Sequence, residues 1–295
     1  MLSILIPTYN YNVASLVESL SGQLKEVDYL YEIIVADDAS NNLGIVQKNR
    51  FINQLPHTRY LEQKENQGRT ATRNFLAQSA TYEWLLFMDA DVLPKKESFI
   101  QNFDIKNNTS DVVFGGISYE EKPPEKDKIL RWKYGKSREA KPVSEREKIP
   151  HLSIISQCFL IKKDLFLKAN NFYENVYGVD VLFAQNLEKM NACVKHINNP
   201  IIHYGLEKNT SFIEKTKKGL ESLYVFEKEN KIPEDYRPIQ KAYQTLKKNG
   251  ALNLFKGIVG FFEKSIHKNL KSSSPSLFLF DLYRLYYYVN LQSKP

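Results

Sequence analysis

The chain has 295 residues, 42% of them hydrophobic and 25% charged, enough to bury a full core, which excludes a disordered or fibrous protein. Its two cysteines, Cys158 and Cys193, lack metal-ligand spacing, which excludes a disulfide scaffold and fits a reducing compartment. The formal charge of +7 is concentrated in the tail, where residues 241–295 hold nine Lys or Arg against Glu263 and Asp281; with no nucleic-acid reading module beside it, this charge does not predict a nucleic-acid partner.

Met1 to Asn10 is apolar without a basic leader or cleavage pattern and reads as a buried strand, so a cytoplasmic location is expected. No stretch reaches the ~18 uninterrupted apolar residues that cross a bilayer. The first strand is predicted over 2–7, with a turn at 8–12 and a helix through Val13, Leu16, Val17 and Leu20 at spacing i, i+3, i+4, i+7. A second strand over 31–36 ends in Asp37-Asp38. A helix over 41–51, a short strand at 58–61, a helix over 69–79 and a strong strand over 84–88 follow. This alternation predicts an α/β fold with a mostly parallel sheet, whose functional loops gather at the strands' carboxyl ends.

Further along, 111–117 reads as a strand holding Gly115-Gly116, a pair that admits a close-approaching sugar or forms a bulge. The span 120–150, rich in Lys, Glu and Pro, reads either as a lid over an acceptor or as an exposed charged linker with Trp132 as its anchor. A strand over 152–161 and a helix over 181–190 come next. The domain division expected is 1–205 for the catalytic part, split at 118/119 into a nucleotide-sugar half and an acceptor half, and 206–295 for a helical C-terminal extension.

Asp89 and Asp91 stand just past the strong strand, separated by Ala90. Extended backbone points both carboxylates to one side, where they can share Mg2+ or Mn2+ and a phosphate-bearing ligand. Asn66, Gly68 and Arg69 open a helix, with Gly68 allowing close backbone approach and Arg69 carrying charge toward a ligand; a helix cap with an exposed basic residue is the plainer alternative. Tyr9 can stack on a base, and Asp38 can accept from a uracil-type N–H or from ribose. No phosphate loop, nucleophile elbow or dinucleotide fingerprint occurs.

Ser3–Asn10, Ile33–Ser40, Glu65–Arg69 with Ala71–Asn74, and Phe87–Asp91, in this order and spacing, resemble the inverting family 2 glycosyltransferases of the GT-A fold, such as those that build bacterial surface polysaccharides. The resemblance runs from residue 1 to about 205. It implies transfer of a sugar from a nucleotide-diphosphate donor, UDP favoured, to a hydroxyl acceptor on a lipid-linked or surface glycan. It also implies that Pro7, Thr8, Tyr9 and Asp38 hold the base and ribose, that Asp89 is shared between ribose and metal, and that Asp91 is the principal metal ligand. Such enzymes carry Glu-Asp at the start of a late helix, the Asp being the base; here that pair is Val179-Asp180, so Asp180 is the implied base, with an N-cap as its alternative. His203, after a late apolar pair, resembles a histidine that approaches the metal or diphosphate; a structural histidine is its alternative. Nucleotidyl transfer and a non-catalytic sugar-binding module are the other functions in play.

The tail is outside the resemblance. Apolar residues over 251–268 with Lys256, Lys264 and Lys268, and the aromatic segment 277–291 after Pro275, have interfacial composition. They predict peripheral attachment of 250–295 to an anionic face of the cytoplasmic membrane; packing on the catalytic domain or a homo-oligomer contact is the alternative.

Overall fold

The structure is a computed structural model and describes residues 1–172 and 176–293. Leu2–Thr8 (β1), Tyr31–Asp37 (β2), Thr58–Glu62 (β3) and Trp84–Met88 (β4) lie parallel to one another. β1 and β4 are near-continuous apolar runs, as suits strands covered on both faces. The crossover helices are Ala14–Leu24 (α1), Leu43–Arg50 (α2) and Arg69–Ser79 (α3). α1 buries Leu16, Val17, Leu20 and Leu24, the residues whose spacing marks one helical face.

Val92–Pro94 (β5), Val112–Phe114 (β6), Ile117–Ser118 (β7), Ile129–Tyr134 (α4), Val143–Arg146 (α5), Cys158–Lys162 (β8), Lys163–Ala169 (α6), Asp180–Lys189 (α7), Val194–His196 (β9) and Ile201–His203 (β10) follow. Four longer helices close the chain: Asn209–Lys228 (α8), Pro238–Lys248 (α9), Leu252–Leu270 (α10) and Leu277–Gln292 (α11). The large sheet has the order β3-β2-β1-β4-β8-β6-β9, in which β8 runs antiparallel to both β4 and β6. A small sheet, β5-β10-β7, holds the residues just after Asp91 beside those leading to His203.

The chain forms two compact units, one of residues 1–120, 139–175 and 183–205, the other of 121–138, 176–182 and 206–295. In the first, Phe87, Phe159, Phe166 and Phe183 join the sheet's aliphatic residues in one core, with the Phe87 and Phe166 rings 4.3 Å apart. In the second, Leu130 from α4 packs with Phe212 and Ile213 of α8, Val259, Ile266 and Leu270 of α10, and Phe280 and Tyr283 of α11.

Several expectations change in the folded chain. The strand expected over 111–117 is broken into β6 and β7 at Gly115-Gly116. A Cβ on Gly115 would lie 2.2 Å from the Asn199 carbonyl oxygen, and Gly116 sits at φ +99°, so the pair lets the chain pass from the large sheet to the small one. The strand expected from 152 starts only at Cys158, the preceding residues being in turns. Within the 120–150 span the short helix α4 is packed, with Leu130 fully buried, while much of the rest is exposed. Arg146, also buried, donates to the carbonyls of Phe114, Ile197 and Lys141 at 3.0, 2.8 and 3.1 Å. The C-terminal helices form a compact unit together with 121–138 and 176–182, because Leu130 completes their core. Within that unit α11 is a core helix, with Phe280, Tyr283, Tyr288, Val289 and Leu291 buried, whereas its sequence composition had suggested an open interfacial one.

Candidate functional site

The carboxyl ends of β1, β2 and β4 bring together three of the expected segments. Asp38 follows β2 and is buried. Its N–H donates to the Thr8 carbonyl at 2.9 Å, and its carboxylate accepts from the backbone N–H of Gln67 at 2.7 Å and of Gly68 at 2.9 Å. Asn66 donates its side-chain amide to the Asp38 carbonyl at 3.0 Å. Gly68 itself takes φ +81° just before α3, a conformation that costs glycine little. Asp38 therefore anchors the turn that starts α3 and keeps acceptor capacity for a ligand. Asp37, buried beside it, accepts from the Ser40 N–H at 2.6 Å and from the Tyr60 hydroxyl. Burial, then the hydrogen bond to Asp37, drives the Tyr60 phenol far above its ordinary value. Pro7 and Thr8 end β1, the Thr8 hydroxyl donating to the Tyr11 carbonyl at 3.0 Å, and Tyr9 is half exposed.

After β4 the two aspartates part company. Asp89 accepts from Arg69 at 2.6 Å on one oxygen and from Arg73 at 2.7 Å on the other. The two arginines stand one turn apart on α3, a spacing at which side chains reach the same spot, and both also donate to Ser156. The i, i+4 spacing from Arg69 is the sequence signal that joins Arg73 to Asp89.

Asp91 faces His203 instead, with 3.3 Å between its Oδ2 and Nε2. The antiparallel β5–β10 pairing sets this distance, since His203 opposes Val92 in the register. The Tyr204 N–H donates to the Asp91 carbonyl at 2.9 Å. A Cβ on Gly205 would fall 1.7 Å from Asp91 Oδ2, so a side chain there would push the carboxylate aside; no sequence signal singled this glycine out. Burial pushes the Asp91 carboxyl upward, but the hydrogen bond and charge of His203 outweigh it and hold the group below its ordinary value. His203 is itself buried, and its Nδ1 has no hydrogen-bond partner among the described residues. No group of three or more His, Cys, Asp or Glu side chains gathers for a metal among the described residues. Asp89, expected at the cation as well, accepts one guanidinium donor on each oxygen and keeps further lone pairs on both.

Asp180 opens α7 and is exposed. The turn before it is tight: Gly178 takes φ +98°, and a Cβ there would lie 3.2 Å from the Cα of Gly219 on α8. Val179 is buried, which explains how an apolar residue replaces the expected acid. Arg237, just before α9, lies in the electrostatic reach of Tyr134, Arg284 and Asp180, and burial pushes its guanidinium below the usual arginine range.

Comparison with known proteins follows the same segments. The model of a family described as Glycosyl transferase family 2 matches residues 3–168. An uncharacterized glycosyltransferase of Haemophilus influenzae is 30% identical over 181 residues, or 57% of this chain and 55% of that protein; the chain thus spans about half the length of that relative. Among solved structures, the mannosyltransferase PcManGT from Pyrobaculum calidifontis, in complex with GDP-Man and Mn2+, matches with a TM-score of 0.56 at 16% identity, over 98% of this chain and 85% of that one. S. aureus TarS 1-349, in complex with UDP-GlcNAc, matches with a TM-score of 0.51 at 18% identity, over 99% and 90%. At these identities the structural likeness is one of fold.

Proposed function

Because the chain belongs to glycosyl transferase family 2 and has the GT-A fold, we propose that it transfers a sugar from a nucleotide-diphosphate donor, UDP-linked by preference, to a hydroxyl acceptor with inversion at the anomeric carbon. The observation that carries this reading is the meeting of Asp91 and His203, 112 positions apart in sequence, beside the Asp89–arginine group at the carboxyl end of the sheet.

In this reading Pro7, Thr8, Tyr9 and Asp38 hold the base and ribose, Asp89 is shared between the ribose and the metal, and Asn66 and Arg69 complete the donor side. Tyr9, half exposed, has a ring face free to stack. Arg69 supplies a guanidinium of the kind that grips phosphate oxygens. A carboxylate and an imidazole suit Mn2+, and with more water Mg2+, so Asp91 and His203, with Asp89 shared, would hold such a cation. A cation bound there supplies charge stabilisation to the leaving diphosphate. Asp180 takes the acceptor hydroxyl's proton as that oxygen forms its bond to the anomeric carbon and the bond to the diphosphate oxygen breaks. The acceptor is a lipid-linked or surface glycan, and the chain works as a peripheral protein at the inner face of the cytoplasmic membrane.

The test is turnover of UDP- and GDP-sugars with a hydroxyl acceptor. Asp180→Asn is expected to lose on the order of 100-fold or more in turnover at unchanged donor affinity, and chelation is expected to abolish the wild-type rate. A wild-type rate from Asp180→Asn removes Asp180 as the base. Full activity after exhaustive chelation removes the metal, and a product of retained configuration removes the single displacement.

A further inference from the structure

α10 is apolar on two opposite faces, and the structure covers one of them. Val259, Ile266 and Leu270 point into the core of the second unit, where Gly260 leaves room for the Tyr286 hydroxyl of α11. Leu254, Ile258, Phe261 and Phe262 are 68, 53, 81 and 51% exposed. Their spacing, i, i+4, i+7 and i+8, puts them on a single face. Burying large apolar side chains is the main favourable term in folding, and scattered exposed ones are ordinary; four on one helical face form a contiguous patch, which marks an interaction surface. Phe278, 69% exposed at the start of α11, adds to the same helical hairpin.

Charge decides the occupant. Lys264 and Lys268, both exposed, are on α10 itself, with Lys271 just past its end and Lys247 and Lys248 just ahead of it. From 241 to 271 the chain holds seven lysines against the single acid Glu263. A second copy of the chain would bring like charges together across the contact, which is disfavoured, whereas an anionic surface is attracted to them. We infer that the Leu254–Phe262 face of α10 docks on an anionic lipid surface, with its aromatic residues at the headgroup boundary and Lys264 and Lys268 at the phosphates. This narrows the membrane part of the reading above to one helix face, with Phe278 at the start of α11 beside it, the remaining α11 aromatic residues being wholly or partly buried.

The experiment is co-sedimentation of the full chain with vesicles of phosphatidylcholine, and of phosphatidylcholine mixed with phosphatidylglycerol, at low and high salt. Wild type is expected on the anionic vesicles only, with binding that falls as salt rises. The pair Phe261→Ser and Phe262→Ser is expected to bind at least tenfold more weakly, and Lys264→Glu with Lys268→Glu at least fivefold per lysine, in line with the ~1 kcal/mol that each basic residue contributes near such a surface. All four side chains are outside the core, so the thermal melt of each variant should match wild type. Undiminished vesicle binding by the Phe pair, or none by wild type, overturns the inference. So does a concentration-dependent dimer in sedimentation velocity that the Phe pair abolishes. Vesicle binding without sugar transfer would leave this face standing and remove the transferase reading; transfer without vesicle binding would do the reverse.

Discussion

Gly205 illustrates how one hydrogen atom in place of a methyl group sets a site. A Cβ there would overlap Asp91 Oδ2 at 1.7 Å, the oxygen that also faces His203 Nε2 at 3.3 Å. Gly205→Ala should therefore displace the carboxylate and leave the sheet intact, since the nearest atoms are those of one side chain at the end of a strand. A displacement near 1 Å at a reacting centre costs on the order of 100-fold in rate. The expected result is that loss in sugar-transfer rate with a thermal midpoint close to wild type. Turnover equal to wild type would show that Asp91 moves without consequence and is not at the chemistry. Arg73 teaches a related lesson: its guanidinium is buried against Asp89, so it acts by holding a neighbour in place.

Among the elements, β2 is tied to both neighbours through Glu32. Its carboxylate accepts from the Thr81 N–H at 2.6 Å, the Ser3 hydroxyl at 2.7 Å on β1 and Arg59 at 2.9 Å on β3. Burial by itself would raise the Glu32 carboxyl, but the hydrogen bonds from Thr81, Ser3 and Arg59 outweigh it and hold the group below its ordinary value. A depressed folded value means that the charged form stabilises the fold: the contribution is complete above the unfolded value of about 4.3 and is lost as the pH falls through the lower folded value. Urea midpoints of wild type and Glu32→Gln, taken across pH, should thus differ most above about pH 5 and draw together as the pH falls below the unfolded value and through the lower folded one. A gap that stays constant down to low pH would assign the loss to shape rather than to charge.

At the scale of the whole molecule, the two units are interleaved along the chain. Residues 121–138 leave the first unit and join the C-terminal helices, where fully buried Leu130 shares a cluster with Phe212 and Phe280. A chain ending at Gly205 would keep every strand of the large sheet and lose both of those partners. We expect such a chain to protect its sheet amides from hydrogen exchange as the full protein does, while 121–138 exchange freely. Full-length protection of 121–138 in the shortened chain would show that this segment is held by the first unit. The same cluster means that removing α10 and α11 strips a core, so membrane binding is better probed by exposed side chains than by truncation.

What the sequence determined by itself is the set of elements whose stabilisation is local in pattern. β1, β2, β4 and α3 fall where periodicity and apolar runs put them, and Asp89 and Asp91 stand at a strand's end because the strand ends there. A family resemblance carried by those segments extended this to the fold and to Glycosyl transferase family 2. Contacts between distant positions were decided only in the tertiary structure. Asp89 and Asp91 share a strand end and an alternation, yet one is taken by arginines from α3 and the other by a histidine from β10, which no local period encodes. Likewise α10 and α11 have similar composition, but which apolar face is covered depends on Leu130, Phe212 and Ile213 arriving from elsewhere in the chain. Burial is a property of the whole arrangement, and periodicity reports only that a face is available to be buried.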